Sequence, residues 1–316
     1  MVRWGFVARR GWQDARNYSS RTDTGPVDYS SLGGTSTKPK PKWRAEEPVR
    51  VTQSPAPEWK YGQGAKDSGA SLKKKHVEID PFAEGRPMFH NYSLLVSGIV
   101  PRPIGFASTL SKDGEPNLAL FSYFQCVDHD PPVFVIGFSG RPDRPKDTQR
   151  NLEETGECVL NIVSEHMIDA VNATSLDAPY GLSEWDISGL HQIPSTTVKP
   201  ARVQESVFSI EGKLVEMVDY KTSARPSGPH GRLAIIEGTR FWVREDALDE
   251  EKRKIDLNVL RPVGQLGGIA YSRITDTFEL ARSNWKKATA IEGQQLREAI
   301  GSSNEDDGKK APVRHR

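Results

Sequence analysis

Lys146, Asp147 and Thr148 stand where a basic loop, RPDRPK, gives way to a helix-like run, DTQRNLEET, that Gly156 should stop. The first turn of a helix has free N–H groups and the positive end of the helix dipole, a combination that favours a dianionic phosphate. Lys146 adds a full positive charge, with Arg141, Arg144 and Arg150 near it in sequence, and Thr148 adds a hydroxyl. Asp147 would repel a phosphate, so it is expected to cap backbone N–H groups, a role Thr148 could share. Upstream lie two hydroxyl-rich, strand-like runs, ASTLS and ALFSYF. Alternation along a strand places Ser108 and Leu110 on one face and Thr109 on the other, and pairs Ser122 with Phe124 opposite Tyr123. Such strands offer amides and hydroxyls to the polar edge of a planar ring, with Phe121 or Phe124 as its apolar wall. The same residues would also suit an ordinary capped surface helix beside ordinary Ser/Thr-rich strands.

The elements that must position these residues read as mainly β. Ile104–Leu110 is a strand, Ser111-Lys112-Asp113-Gly114 a hairpin turn, and Asn117–Val127 a second strand. Val133–Phe138 is apolar enough to be central in a sheet. Asp147–Thr155 reads as a helix, Cys158–Val163 as a strand and Glu165–Ala173 as a second helix. Tyr180–Ile193 is an irregular excursion carrying Trp185. Ser206–Tyr220 and Leu233–Val243 are long strands around a Pro/Gly loop, and Leu260–Tyr271 carries a glycine-rich turn, RPVGQLGG. Six or more strands with few helical crossovers point to an antiparallel β barrel with helices packed outside, rather than a doubly wound parallel sheet.

The barrel domain is expected over 76–285. Residues 1–75 form a basic arm and 286–316 a polar C-terminal tail, both read as disordered, because runs such as STKPKPKWR and KYGQGAKDSGASLKKK carry too little apolar surface to offset their ordering entropy. The net charge of +1 gives no overall field to attract nucleic acid or a membrane surface. No apolar run approaches the roughly 18 residues of a membrane span. Cys126 and Cys158 sit in strand-like runs and are expected as buried, reduced thiols, and no His/Cys/Asp/Glu spacing suggests a metal. The first twenty residues carry four arginines and one acid, as in a mitochondrial transit peptide. Delivery to the mitochondrial matrix is therefore expected, with the cytoplasm as the alternative.

PRPIGFASTLSKDGEPNLALFSYF followed by KDTQRNLEETGECVLNIV, and later RPVGQLGGIAY, resembles the flavin reductase-like family with the FMN-binding split barrel. The resemblance runs over about residues 90–282. It implies a dimeric, antiparallel split β-barrel with flavin mononucleotide (FMN) near the subunit interface. By position, the ring would contact Arg102, Pro103, Ile104, Ser108, Thr109, Leu110, Ser122 and Phe124. The phosphate would lie against Lys146, Asp147 and Thr148, with Asn151 nearby. Tyr271 and Arg273 would approach from the last segment, and His230 would line the nicotinamide side. The activity so implied is transfer of hydride from NADH or NADPH through bound FMN to an acceptor. The alternative is a non-catalytic FMN-binding carrier, sensor or assembly module whose basic arm contacts a partner.

Overall fold

The computed structural model describes residues 43, 47–140, 145–176, 182–220, 231–282, 284–286, 288–289 and 293–298. In chain order the elements are β1 (Arg50–Thr52), α1 (Met88–Gly98), β2 (Gly105–Leu110), β3 (Pro116–Phe121), β4 (Phe124–His129), β5 (Pro132–Phe138) and α2 (Asp147–Thr155). Then come β6 (Glu157–Ile162), α3 (Ile168–Ala173), α4 (Glu184–Ser188), β7 (Gln192–Ile193), β8 (Arg202–Val203), β9 (Phe208–Asp219) and β10 (Arg232–Val243). The chain closes with α5 (Leu257–Leu260), β11 (Val263–Gln265), β12 (Tyr271–Arg273) and β13 (Asp276–Phe278).

Seven strands form one sheet in the order β3-β2-β6-β9-β10-β5-β4, every neighbouring pair antiparallel. The two edge strands, β3 and β4, are consecutive in the chain and separated only by Ser122 and Tyr123. That short link bends the sheet back on itself into a split barrel. The single strand expected over Asn117–Val127 is therefore two strands. The backbone changes hydrogen-bonding partner at Ser122, pairing with β2 before it and with β5 after it.

Alternation along β2 divides the apolar interior as a period of two requires. Ala107 joins Phe121, Phe124, Phe134, Ile136, Phe138, Leu152, Leu160 and Ile236 inside the barrel. Phe106 points the other way, into a second core with Ile104, Leu118, Val171, Trp185 and Val263. Gly105 is required by packing, because a Cβ there would stand 2.6 Å from the Phe124 ring. The stretch expected to be irregular around Trp185 contains α4, and Trp185 is buried beneath it.

Several expectations are corrected. Cys126 is exposed because β4 is an edge strand turned to solvent, whereas Cys158 is buried and its thiol is pushed up to about 12 by burial. Neither Asp147 nor Thr148 caps α2. Lys146 occupies the cap position with extended backbone and no side-chain cap bond, while Gly156 ends the helix in the left-handed conformation at φ 71°. The arm expected to be disordered contains β1, which pairs in parallel with β13. Arg50 bridges Asp276, Val49 N–H donates to Asn258, and the Arg261 guanidinium donates to the Glu47 carbonyl. A few short-range polar contacts hold this segment, with little apolar burial, so hydrophobic patterning carries no sign of it. Residues 293–298, within the expected tail, are helical. Among the described residues no helix is long and apolar enough to cross a membrane.

Candidate functional site

A cavity of about 220 Å³ opens where the sheet edges meet. One wall is the end of β3 and its link to β4, Leu120–Tyr123; a second is Gly137, Phe138 and Ser139 at the end of β5. Tyr92 and Val96 of α1, Gln265 of β11 and Lys146 at the start of α2 complete it. Phe121 and Phe138 meet edge to face at 5.3 Å, giving an apolar, aromatic floor. Ser122, Ser139 and Gln265 supply hydroxyls and an amide. Among the described residues Lys146 is the only charged side chain lining the cavity.

Of the residues expected to bind the cofactor, Ser122 and Lys146 line this cavity directly. Arg102 lies behind its wall, nearly buried, with its Nε donating to Ser122 Oγ at 3.3 Å. Thr109, Thr148 and Asn151 turn inward instead. Asn117 Nδ2 donates to Thr109 Oγ1 at 3.1 Å and to Thr148 Oγ1 at 2.9 Å, and Asn151 Nδ2 donates to Thr109 Oγ1 at 3.0 Å. This buried network sews α2 onto β2 and β3 and so places Lys146 at the cavity mouth. Asn151 Oδ1 has no partner within it.

Asp147 lines a separate pocket of about 30 Å³ with Asn117, Asn151 and Glu184, and not the larger cavity. Glu184 accepts a bond from the Leu118 amide, and burial raises its pKa above the ordinary carboxylate range. An acid that would repel an anion is thus held apart from the cavity that carries Lys146.

The remaining expected residues are elsewhere. Ser108 donates to the Ala201 carbonyl, Phe124 stacks on Phe134 inside the barrel, and Ile104 belongs to the second core. Pro103 is exposed, and Leu110 is half-buried at the end of β2. Tyr271 donates to Asn172, and Arg273 pairs with Glu165. His230, Arg141 and Arg144 lie outside the described residues. Sequence reasoning missed Tyr92, Val96, Phe138, Ser139 and Gln265. Gln265 stood inside the glycine-rich RPVGQLGG turn, a usable signal, whereas the α1 residues carried none.

An aromatic floor, hydroxyl and amide groups on one side and a cation at a helix start fit a planar, phosphorylated ring system such as FMN. Among the described residues no group of three His, Cys, Asp or Glu side chains gathers to hold a metal ion.

The fold is a split barrel whose cavity suits a planar, phosphorylated ring. Residues 97–260 match the family model for the flavin reductase like domain, and the chain belongs to the flavin reductase-like family. An uncharacterized protein of Halalkalibacterium halodurans is 35% identical over 193 residues, spanning 61% of this chain and 90% of its own. Among solved structures, nitrilotriacetate monooxygenase component B from Bacillus cereus superposes with a TM-score of 0.61 at 29% identity, covering 66% of this chain and 100% of its own. The 2-nitrobenzoate 2-nitroreductase of Pseudomonas fluorescens superposes with a TM-score of 0.57 at 27% identity, covering 67% of this chain and 98% of its own.

Proposed function

We propose that this protein is an NAD(P)H-dependent oxidoreductase that uses bound FMN to pass hydride to an acceptor. The observation that carries the reading is the meeting of Lys146, Ser122 and the Phe121–Phe138 pair in one cavity of a flavin reductase-like barrel. Bound FMN would supply the redox chemistry, hydride transfer between a reduced nicotinamide and the acceptor.

The chain's own contribution is position and electrostatics. Lys146 and the N–H groups of the first turn of α2 would hold the phosphate. Phe121 and Phe138 would exclude water from beneath the ring, while Ser122, Ser139 and Gln265 would give its polar edge hydrogen-bond partners. The step needs no general acid or base, so a cavity without paired carboxylates suits it. The nitroreductase relationship supports a small aromatic or nitro compound among the acceptors. Exposed Leu94, Leu95, Ile99 and Val100, on and just beyond the helix that walls the cavity, support a homodimer that covers this face. The arginine-rich start supports delivery to the mitochondrial matrix as part of the same reading.

The test is the visible absorption spectrum of the purified protein, followed by anaerobic addition of NADH or NADPH. A yellow protein that bleaches is the expected result. Yellow colour that persists would move the function to the carrier or sensor reading. A colourless protein that takes up no added FMN would remove the cofactor assignment.

A further inference from the structure

Arg102 binds three walls of the cavity at once. Its Nη1 donates to the Val96 carbonyl at 2.6 Å and to the Ile99 carbonyl at 3.0 Å, at the C-terminal end of α1. Its Nη2 donates to the Leu266 carbonyl at 3.0 Å, and its backbone exchanges bonds of 3.0 and 2.9 Å with Gln265. Its Nε donates to Ser122 Oγ.

Two consequences follow from elementary chemistry. A guanidinium has donors only, so Ser122 Oγ is the acceptor in that bond and its own proton points elsewhere. Ser122 lines the cavity, so the hydroxyl is left to donate to an acceptor inside it. The second consequence concerns charge. Arg102 is 7% exposed, its hydrogen-bond partners are neutral, and among the described residues no carboxylate forms an ion pair with it. Buried charges are normally paired. The negative pole of α1, at the Val96 and Ile99 carbonyls, offsets part of this charge, and the remainder acts on negative charge within the cavity beside Ser122.

We propose that Arg102 is a positioning residue that fixes Ser122 as a donor and biases the cavity toward the electron-rich form of its ligand. The inference rests on the FMN reading above, and for FMN it means that the Arg102–Ser122 pair favours the reduced cofactor over the oxidised one. It also assigns the cavity wall at Ser122 to a ligand edge that bears hydrogen-bond acceptors.

The test measures FMN affinity of the full chain in oxidised and reduced states, and the potential by equilibration with a reference dye. The variants are Ser122→Ala, Arg102→Lys and the two combined. Ser122→Ala should weaken reduced FMN about tenfold more than oxidised FMN, a shift of about 30 mV to more negative potential for a two-electron couple. Arg102→Lys keeps a charge but loses the planar fork that holds Ser122. It should shift the potential in the same direction, and adding Ser122→Ala to it should add little. Additive shifts, or a potential indifferent to Ser122→Ala, would overturn the inference. If Arg102→Lys does not fold, Ser122→Thr decides, since it keeps the hydroxyl and should restore the potential lost in Ser122→Ala; failure to restore it counts against the proposal. A wild-type protein that takes up no FMN in either state overturns the functional reading itself, an outcome distinct from FMN that binds but ignores Ser122.

Discussion

Asn151 donates to Thr109 Oγ1 at 3.0 Å, joining the middle of α2 to the strand that opens the barrel. The same oxygen accepts from Asn117, so one threonine hydroxyl receives two buried amides. Thr109→Val keeps the shape and removes the acceptor, leaving two buried donors unpaired. Each costs about 1–3 kcal/mol, so urea denaturation should give a loss of roughly 2–5 kcal/mol. A loss under 1 kcal/mol would mean that water replaces the hydroxyl.

Lys146 is placed by that network but acts on the cavity. Lys146→Ala should weaken FMN binding by about 1.5–3 kcal/mol, the range for a charged hydrogen bond, with little change in thermal midpoint. Thr148→Ala should do the reverse, because Thr148 is buried and accepts from Asn117. Flavin fluorescence titration alongside thermal melts would separate the two, and equal effects on binding would refute the division.

Glu211 gives the fold an acid sensitivity. Although desolvation works to raise its pKa, hydrogen bonds from Thr197, Thr196 and Trp242 Nε1 outweigh it and hold the carboxyl at about 2, below the ordinary 4.5. A group depressed on folding adds stability above its unfolded pKa and loses it as pH falls toward the folded value. About 3 kcal/mol should therefore disappear between about pH 5 and pH 2. Glu211→Gln should lower stability at neutral pH and flatten that slope; an unchanged slope in chemical denaturation would assign the acid sensitivity elsewhere.

The strap formed by β1 can be tested by truncation. Removing residues 1–42 should leave the thermal midpoint unchanged, whereas removing 1–75 also strips β1 from β13. The Arg50–Asp276 pair that goes with it is exposed, and exposed ion pairs contribute little. A fall of only a few degrees is expected, at about 2–4 °C per kcal/mol for a domain of this size. Loss of cooperative unfolding would make the strap integral to the barrel.

The fold was largely legible because the alternation in ASTLS, the Asp113-Gly114 turn and the Gly156 stop are local signals with local causes. Lys146 was legible as a cavity residue for the same reason, standing at a helix start, whereas Ser122 came from the family resemblance, inside what reads as one continuous strand. Thr148 and Asn151 point into the barrel because Asn117 and Thr109 wait there, and spacing along one helix does not reveal the partners on two strands. The change of strand partner at Ser122 is also tertiary, since ALFSYFQCV is uniformly strand-like and nothing local marks where one edge ends and the other begins. Helix α1 escaped notice because only Val96 of its 11 residues is buried, so it lacks the apolar stripe by which helices are recognised.

The two-residue link between β3 and β4 makes one wall of the cavity and the barrel's seam the same piece of chain. A molecule resting there touches both margins of the sheet, so it clasps the barrel as well as using it. Amide hydrogens of β3 and β4, far apart in strand order, should slow their exchange together when the cavity fills. The mechanical strength of the barrel then becomes a gauge of its cargo.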